Sequence, residues 1–116
     1  MKLALRSGLL LLAFASSLHA ATITGEVIDT FCYAKVGIRG LPHAACGIKC
    51  ARAGVPVGLL DEKTHRVYIL LASKDASPLP PALIEQMGRN VVIDGEPVVK
   101  GGATFFVVRS FRALTR

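Results

Sequence analysis

The feature that most constrains this chain is its punctuation: apolar runs of strand length, each cut short by glycine, proline or a polar turn before a long helix can form. Residues 22–31 set Ile23 and Val27 among polar neighbours and read as a first strand, with a bulge expected at Gly25. Residues 55–60 and 66–71 flank the polar connection 61–65, which has hairpin length. Residues 91–94 and 103–111 complete the strands, with Asp94-Gly95 and Gly101-Gly102 read as turns and Pro97 forcing an edge or an irregular return. Only two short helices fit between these runs. One covers 43–51, entered through Pro42 and closed by Gly54; the other covers 81–87 and is closed by Gly88. The order is strand, Cys-bearing insertion, strand, strand, short helix, strand, strand. It predicts a mainly β chain, a small OB-fold-like five-stranded barrel with a Cys/His-containing insertion after the first strand. An irregular five-stranded sandwich or roll is the rival architecture.

The amino end has a different grammar. Lys2 and Arg6 precede an apolar run over 8–15, followed by Ser16-Ser17-Leu18-His19-Ala20, the order of a cleavable secretory signal. The run is shorter than the roughly 20 apolar residues that cross a bilayer. The expectation is therefore a signal over 1–20 and a single periplasmic or secreted domain over 21–116, with no membrane span in the mature protein. No cysteine directly follows the cut, so a lipid-modified terminus is not indicated. Losing Lys2 and Arg6 leaves 12 basic against eight acidic residues, a net of +4. Lys35, Arg39, Lys49 and Arg52 alone account for that excess, in a stretch without an acid. Such a face suits an anionic partner, although dispersed positive charge also serves plain solubility.

Three cysteines in an oxidising compartment imply one disulfide and one leftover thiol, and the leftover thiol needs a reason. Cys32, His43, Cys46 and Cys50 follow the spacing C-x10-H-x2-C-x3-C. On a helix over 43–51, His43, Cys46 and Cys50 share one face. Helix neighbours four apart hold their Cβ atoms about 5–6 Å apart, whereas a disulfide needs about 3.5–4.5 Å. The better bridge thus runs from Cys32 to Cys46 or Cys50, worth about 3 kcal/mol. The reduced set instead suits Zn²⁺ or Cu(I), with Cys32, Cys46 and Cys50 as thiolates and His43 as the imidazole ligand. Asp29, three residues before Cys32, could orient His43, or could simply end its strand in a turn. Thiol catalysis is the third use, without a C-x-x-C spacing to support it.

Other candidates read more plainly. His65 belongs to a polar connection, and Tyr33 suits packing. Phe105, Phe106 and Phe111 could stack bases, but on a strand they suit the core, and a chain without Trp is poorly equipped for nucleic acid. There is no nucleophile elbow, phosphate-binding glycine loop or paired-carboxylate cleft.

The segments Gly25-Glu26-Val27-Ile28-Asp29, Cys32-Tyr33, His43-Ala44-Ala45-Cys46 with Cys50, residues 54–60 and Val67-Tyr68 resemble a group of small bacterial exported proteins. Their shared pattern is D-x2-C-Y, H-A-A-C-x3-C and G-x-P-x-G-L-L, spanning about half of the mature chain. The resemblance implies kinship and an OB-like barrel but no reaction. At the level of fold and compartment the chain is also similar to small periplasmic OB-fold metal carriers. Those use Met, His and Trp on barrel strands, which this chain does not match. The functional expectation is a non-enzymatic binding module for a soft metal ion or metal cofactor. The alternative is a disulfide-stabilised interaction module whose basic residues meet an unknown envelope protein.

Overall fold

The computed structural model describes residues 20–114, so the signal expected over 1–20 lies almost wholly outside the described residues. Five strands form a closed barrel in the order β1-β2-β3-β5-β4. They are β1 (Ala21–Asp29), β2 (Val57–Asp61), β3 (Val67–Ala72), β4 (Asn90–Lys100) and β5 (Ala103–Ala113). All pairings are antiparallel except β3 with β5. This is the expected OB-like architecture. The short helix α4 (Pro81–Ile84) lies between β3 and β4, and a longer insertion separates β1 from β2.

Closure depends on β1 serving two partners. Its first half pairs with β4 and its second half with β2, and both ladders pass through Gly25. No bulge occurs there: both registers are continuous, and glycine is required because a Cβ would collide with the backbone carbonyl of Leu60. The irregularity sits between β4 and β5 instead, where Asp94 pairs with Ser110 and Gly95 with Val108, leaving Arg109 of β5 as the extra residue. Asp94-Gly95 is a register shift within one long strand and not a turn, so residues 90–100 form a single element. Gly95 packs where a side chain would strike the Val107 carbonyl. Pro97 lies beyond the reach of β1, where β4 pairs with β5 alone, as an edge proline should.

Val27, Leu59, Tyr68, Leu70, Val91, Ile93 and Phe106 fill the interior, and Leu83 and Met87 plug one end. Tyr68 meets Phe106 edge to face with centroids 5.9 Å apart. Met87 is tied to β1 by neighbouring backbone bonds, Gly88 N–H to the Val27 carbonyl at 2.8 Å and Val27 N–H to the Arg89 carbonyl at 3.0 Å. Among the described residues no helix is long and apolar enough to cross a membrane.

The insertion holds more helix than the sequence suggested. Residues 30 and 31, read as strand, begin α1 (Thr30–Val36). The 3-10 turn α2 (Leu41–His43) then leads into α3 (Ala44–Arg52). The first strand therefore stops at Asp29, whose side chain caps α1, and Gly37 ends that helix with φ 69°.

Candidate metal centre

Asp29 is the last residue of β1 and the N-cap of α1. Its Oδ1 accepts the backbone N–H of Phe31 at 3.0 Å and of Cys32 at 3.3 Å, so the first helical turn forms around this carboxylate. Thr30 fastens the same turn to the start of β2: its hydroxyl donates to the Pro56 carbonyl at 2.6 Å and its N–H at 3.4 Å. Cys32 is consequently held beside Asp29.

His43 arrives from the opposite end of the insertion. It ends α2 and stands at the N-cap position of α3, just outside the helix expected to carry it. Its Nε2 lies 3.4 Å from Asp29 Oδ2, with the imidazole 11% exposed and the carboxylate 1%. Gly47 allows this approach. It is the buried residue of α3, and a Cβ there would come within 2.7 Å of Met87 Cγ and 3.5 Å of Asp29 Cβ. The helix can rest on the barrel plug and on Asp29 because position 47 has no side chain. One turn further, Cys50 is half-buried and its thiol is influenced by the same carboxylate, although it lies outside the close trio of Asp29, Cys32 and His43.

One ligand atom from each of Asp29, Cys32 and His43 lies within 4.8 Å of the other two. Tetrahedral zinc, with bonds of about 2.0–2.3 Å, sets its ligands roughly 3.3–3.8 Å apart. A closure of about 1 Å thus turns this cluster into half or more of a metal shell. Oδ1 is occupied by the helix cap, while Oδ2 faces the imidazole.

The electrostatics follow from one buried negative charge. Burial works to raise the Asp29 pKa, but the Cys32 N–H, the Cys50 and Cys32 thiols and the His43 imidazole outweigh it, and the net shift is downward from 3.8. The thiols respond in the opposite sense. Cys50 is pushed up to about 11, first by its hydrogen bond to Asp29 and then by desolvation and the carboxylate's charge. Cys32 is raised by desolvation first and by Asp29 second. Both are protonated thiols at neutral pH, the opposite of the depressed pKa that thiol catalysis needs.

All three cysteines are free. The bridge expected from Cys32 to Cys46 or Cys50 is not formed, and the insertion is fastened by the Asp29 cap, the Thr30–Pro56 bonds and the Gly47 contact. Cys46 is exposed and, like Cys50, outside the three-residue cluster. Asp29, Cys32 and His43 therefore converge, with Cys50 linked to the same carboxylate from outside the trio and Cys46 exposed beyond it. Of the basic residues, Arg39 pairs with Glu26 at 3.5 Å, and Lys35, Lys49 and Arg52 are exposed. His65 is exposed in its turn and Phe106 is fully buried. Sequence reasoning missed Gly47 and Met87. A glycine inside a helical run beside a Cys/His cluster was the available signal.

No family model, curated protein or solved structure matches this chain.

Proposed function

We propose that this chain is an exported, non-enzymatic metal-binding module that holds one zinc ion through Asp29, Cys32, His43 and Cys50. The single observation carrying the reading is the convergence of carboxylate, thiol and imidazole within 4.8 Å. A carboxylate, an imidazole and two thiols make a mixed donor set for borderline Zn²⁺, whereas Cu(I) is better served by sulfur alone. Asp61 offers an internal comparison. It too is buried at the end of β2 and caps the next turn through Lys63 and Thr64 N–H at 2.8 and 3.4 Å, but among the described residues it belongs to no three-ligand group. Capping explains Asp61 completely and leaves the surroundings of Asp29 unexplained.

The raised thiol pKa values leave Cys32 and Cys50 neutral in the reduced, metal-free site, with the negative charge on Asp29, and zinc uptake exchanges the thiol protons for the metal. Titration of the reduced full chain with zinc against a competing chelator should give one ion per chain. Cys32→Ser and His43→Ala should each weaken binding by at least about 100-fold, beyond the 10–100-fold typical of groups that only support a ligand. Cys46→Ser should bind as the parent does. Uptake indifferent to Cys32 and His43 would remove the proposal.

A further inference from the structure

Seven large apolar side chains are exposed among the described residues, and four of them, Phe31, Val36, Ile38 and Leu41, fall within eleven residues of the insertion. Residues 34–39 are exposed without interruption, and α1 buries none of its residues. Gly37 and Gly40, with φ of 69° and 85°, turn the chain on either side of Ile38 and Arg39, so these two side chains ride on a narrow loop between glycine hinges. Lys35 and Arg39 are interleaved with the apolar residues, Arg39 half-exposed and sharing an ion pair with Glu26 of β1, and from Thr30 to Leu60 the chain has four basic residues and no acid. A clustered apolar display on a small domain marks a surface that meets something.

We infer that this loop docks at the headgroup boundary of an anionic phospholipid bilayer. Val36, Ile38 and Leu41 enter the boundary, and Lys35 and Arg39 remain at the phosphates. Two features favour a bilayer over a folded partner. The apolar groups sit on an exposed loop, seated at Gly40 and Leu41 against Gly88, and on a two-turn helix, a form suited to entering a fluid boundary. The cations sit directly beside them, so shallow insertion and charge neutralisation occur together. The thiol–imidazole cluster takes no part, and the inference stands independently of zinc.

The chain contains no Trp, which makes the test local. In the otherwise unaltered full chain, Ile38→Trp places the sole indole on the loop, and Leu71→Trp places it on β3 as a control at another exposed apolar site. Any contact made elsewhere in the chain is silent to such a probe. With phosphatidylglycerol vesicles the Ile38→Trp emission should shift to the blue, with a weaker response on phosphatidylcholine and reversal by high salt. Leu71→Trp should not respond, and Val36→Trp should repeat the Ile38→Trp result. Lys35→Gln in the Ile38→Trp background should lower vesicle partitioning about five-fold, the value of one cation near an anionic surface. The inference is overturned by no shift at position 38, by an equal shift at 71, or by an equal shift on zwitterionic vesicles. A shift produced by soluble polyglutamate in place of vesicles would also overturn it and assign an acidic polypeptide.

Discussion

Asp29 and Asp61 end β1 and β2 with the same device, a buried carboxylate accepting backbone N–H groups two and three residues ahead. At Asp61, as at Asp29, burial pushes the pKa up and hydrogen bonds more than compensate, here from Lys63 and Thr64, leaving it below 3.8. A lowered folded pKa means stability that is complete above the unfolded value and lost as pH falls through the folded one. The metal-free protein should therefore lose stability below about pH 4. Substitution separates the two roles. Asp61→Ala, followed by denaturant unfolding at neutral pH, should cost about 0.5–2 kcal/mol, as cap losses do, and leave zinc affinity unchanged. Asp29→Asn keeps a capping oxygen but removes the charged ligand, so it should weaken zinc with a smaller loss of stability. Equal effects of the two changes on zinc would contradict the distinction. In the sequence each is an acid closing an apolar run, and only the nearby Cys32 sets Asp29 apart; the approach of His43, brought in by chain folding, makes the difference geometric.

At the scale of elements, the insertion between β1 and β2 is a lightly anchored unit on a tightly packed barrel. Its helices bury only Gly47, whereas β2 is buried throughout. Its ligands come from both ends of the segment, so zinc would close it into a loop. Hydrogen exchange should show slowed amides across residues 30–50 when zinc is added, with the barrel strands already protected and unchanged. Uniform slowing across the molecule, or none in the insertion, would contradict a metal that organises this unit. The element order of the barrel was legible because strand alternation and glycine or proline punctuation are local signals. The insertion was less so. Asp29 and Gly37 mark the two ends of α1, but with seven residues and no buried face it has no apolar periodicity to read. Asp94-Gly95 misled for the converse reason: a turn dipeptide stays within one strand, opposite the extra residue Arg109 of β5, when both flanking runs pair with the same neighbour, a tertiary fact.

For the whole molecule, barrel closure and the metal centre share β1. Gly25 holds two ladders together at van der Waals limits, and Asp29 ends the same strand four residues later. Gly25→Ala should destabilise the protein by about 1–3 kcal/mol through overpacking, a fall in Tm of roughly 5–20 °C for a domain of this size. A Tm within a degree of the parent would show that the ladder at Gly25 has slack that the fold does not display. The candidate ligands were legible as residue types, since Cys32, His43, Cys46 and Cys50 stand out by spacing. Their selection was not, because the 3-10 turn at His43 and the glycine contact at position 47 decide which thiols face Asp29. X-ray absorption at the zinc edge of the reduced, zinc-loaded full chain tests that selection most directly. The account predicts a mixed shell, two sulfurs at about 2.3 Å and two nitrogen or oxygen neighbours at about 2.0–2.2 Å. A shell of three sulfurs, which would bring in Cys46 and leave Asp29 out, or one with no sulfur at all, would contradict it.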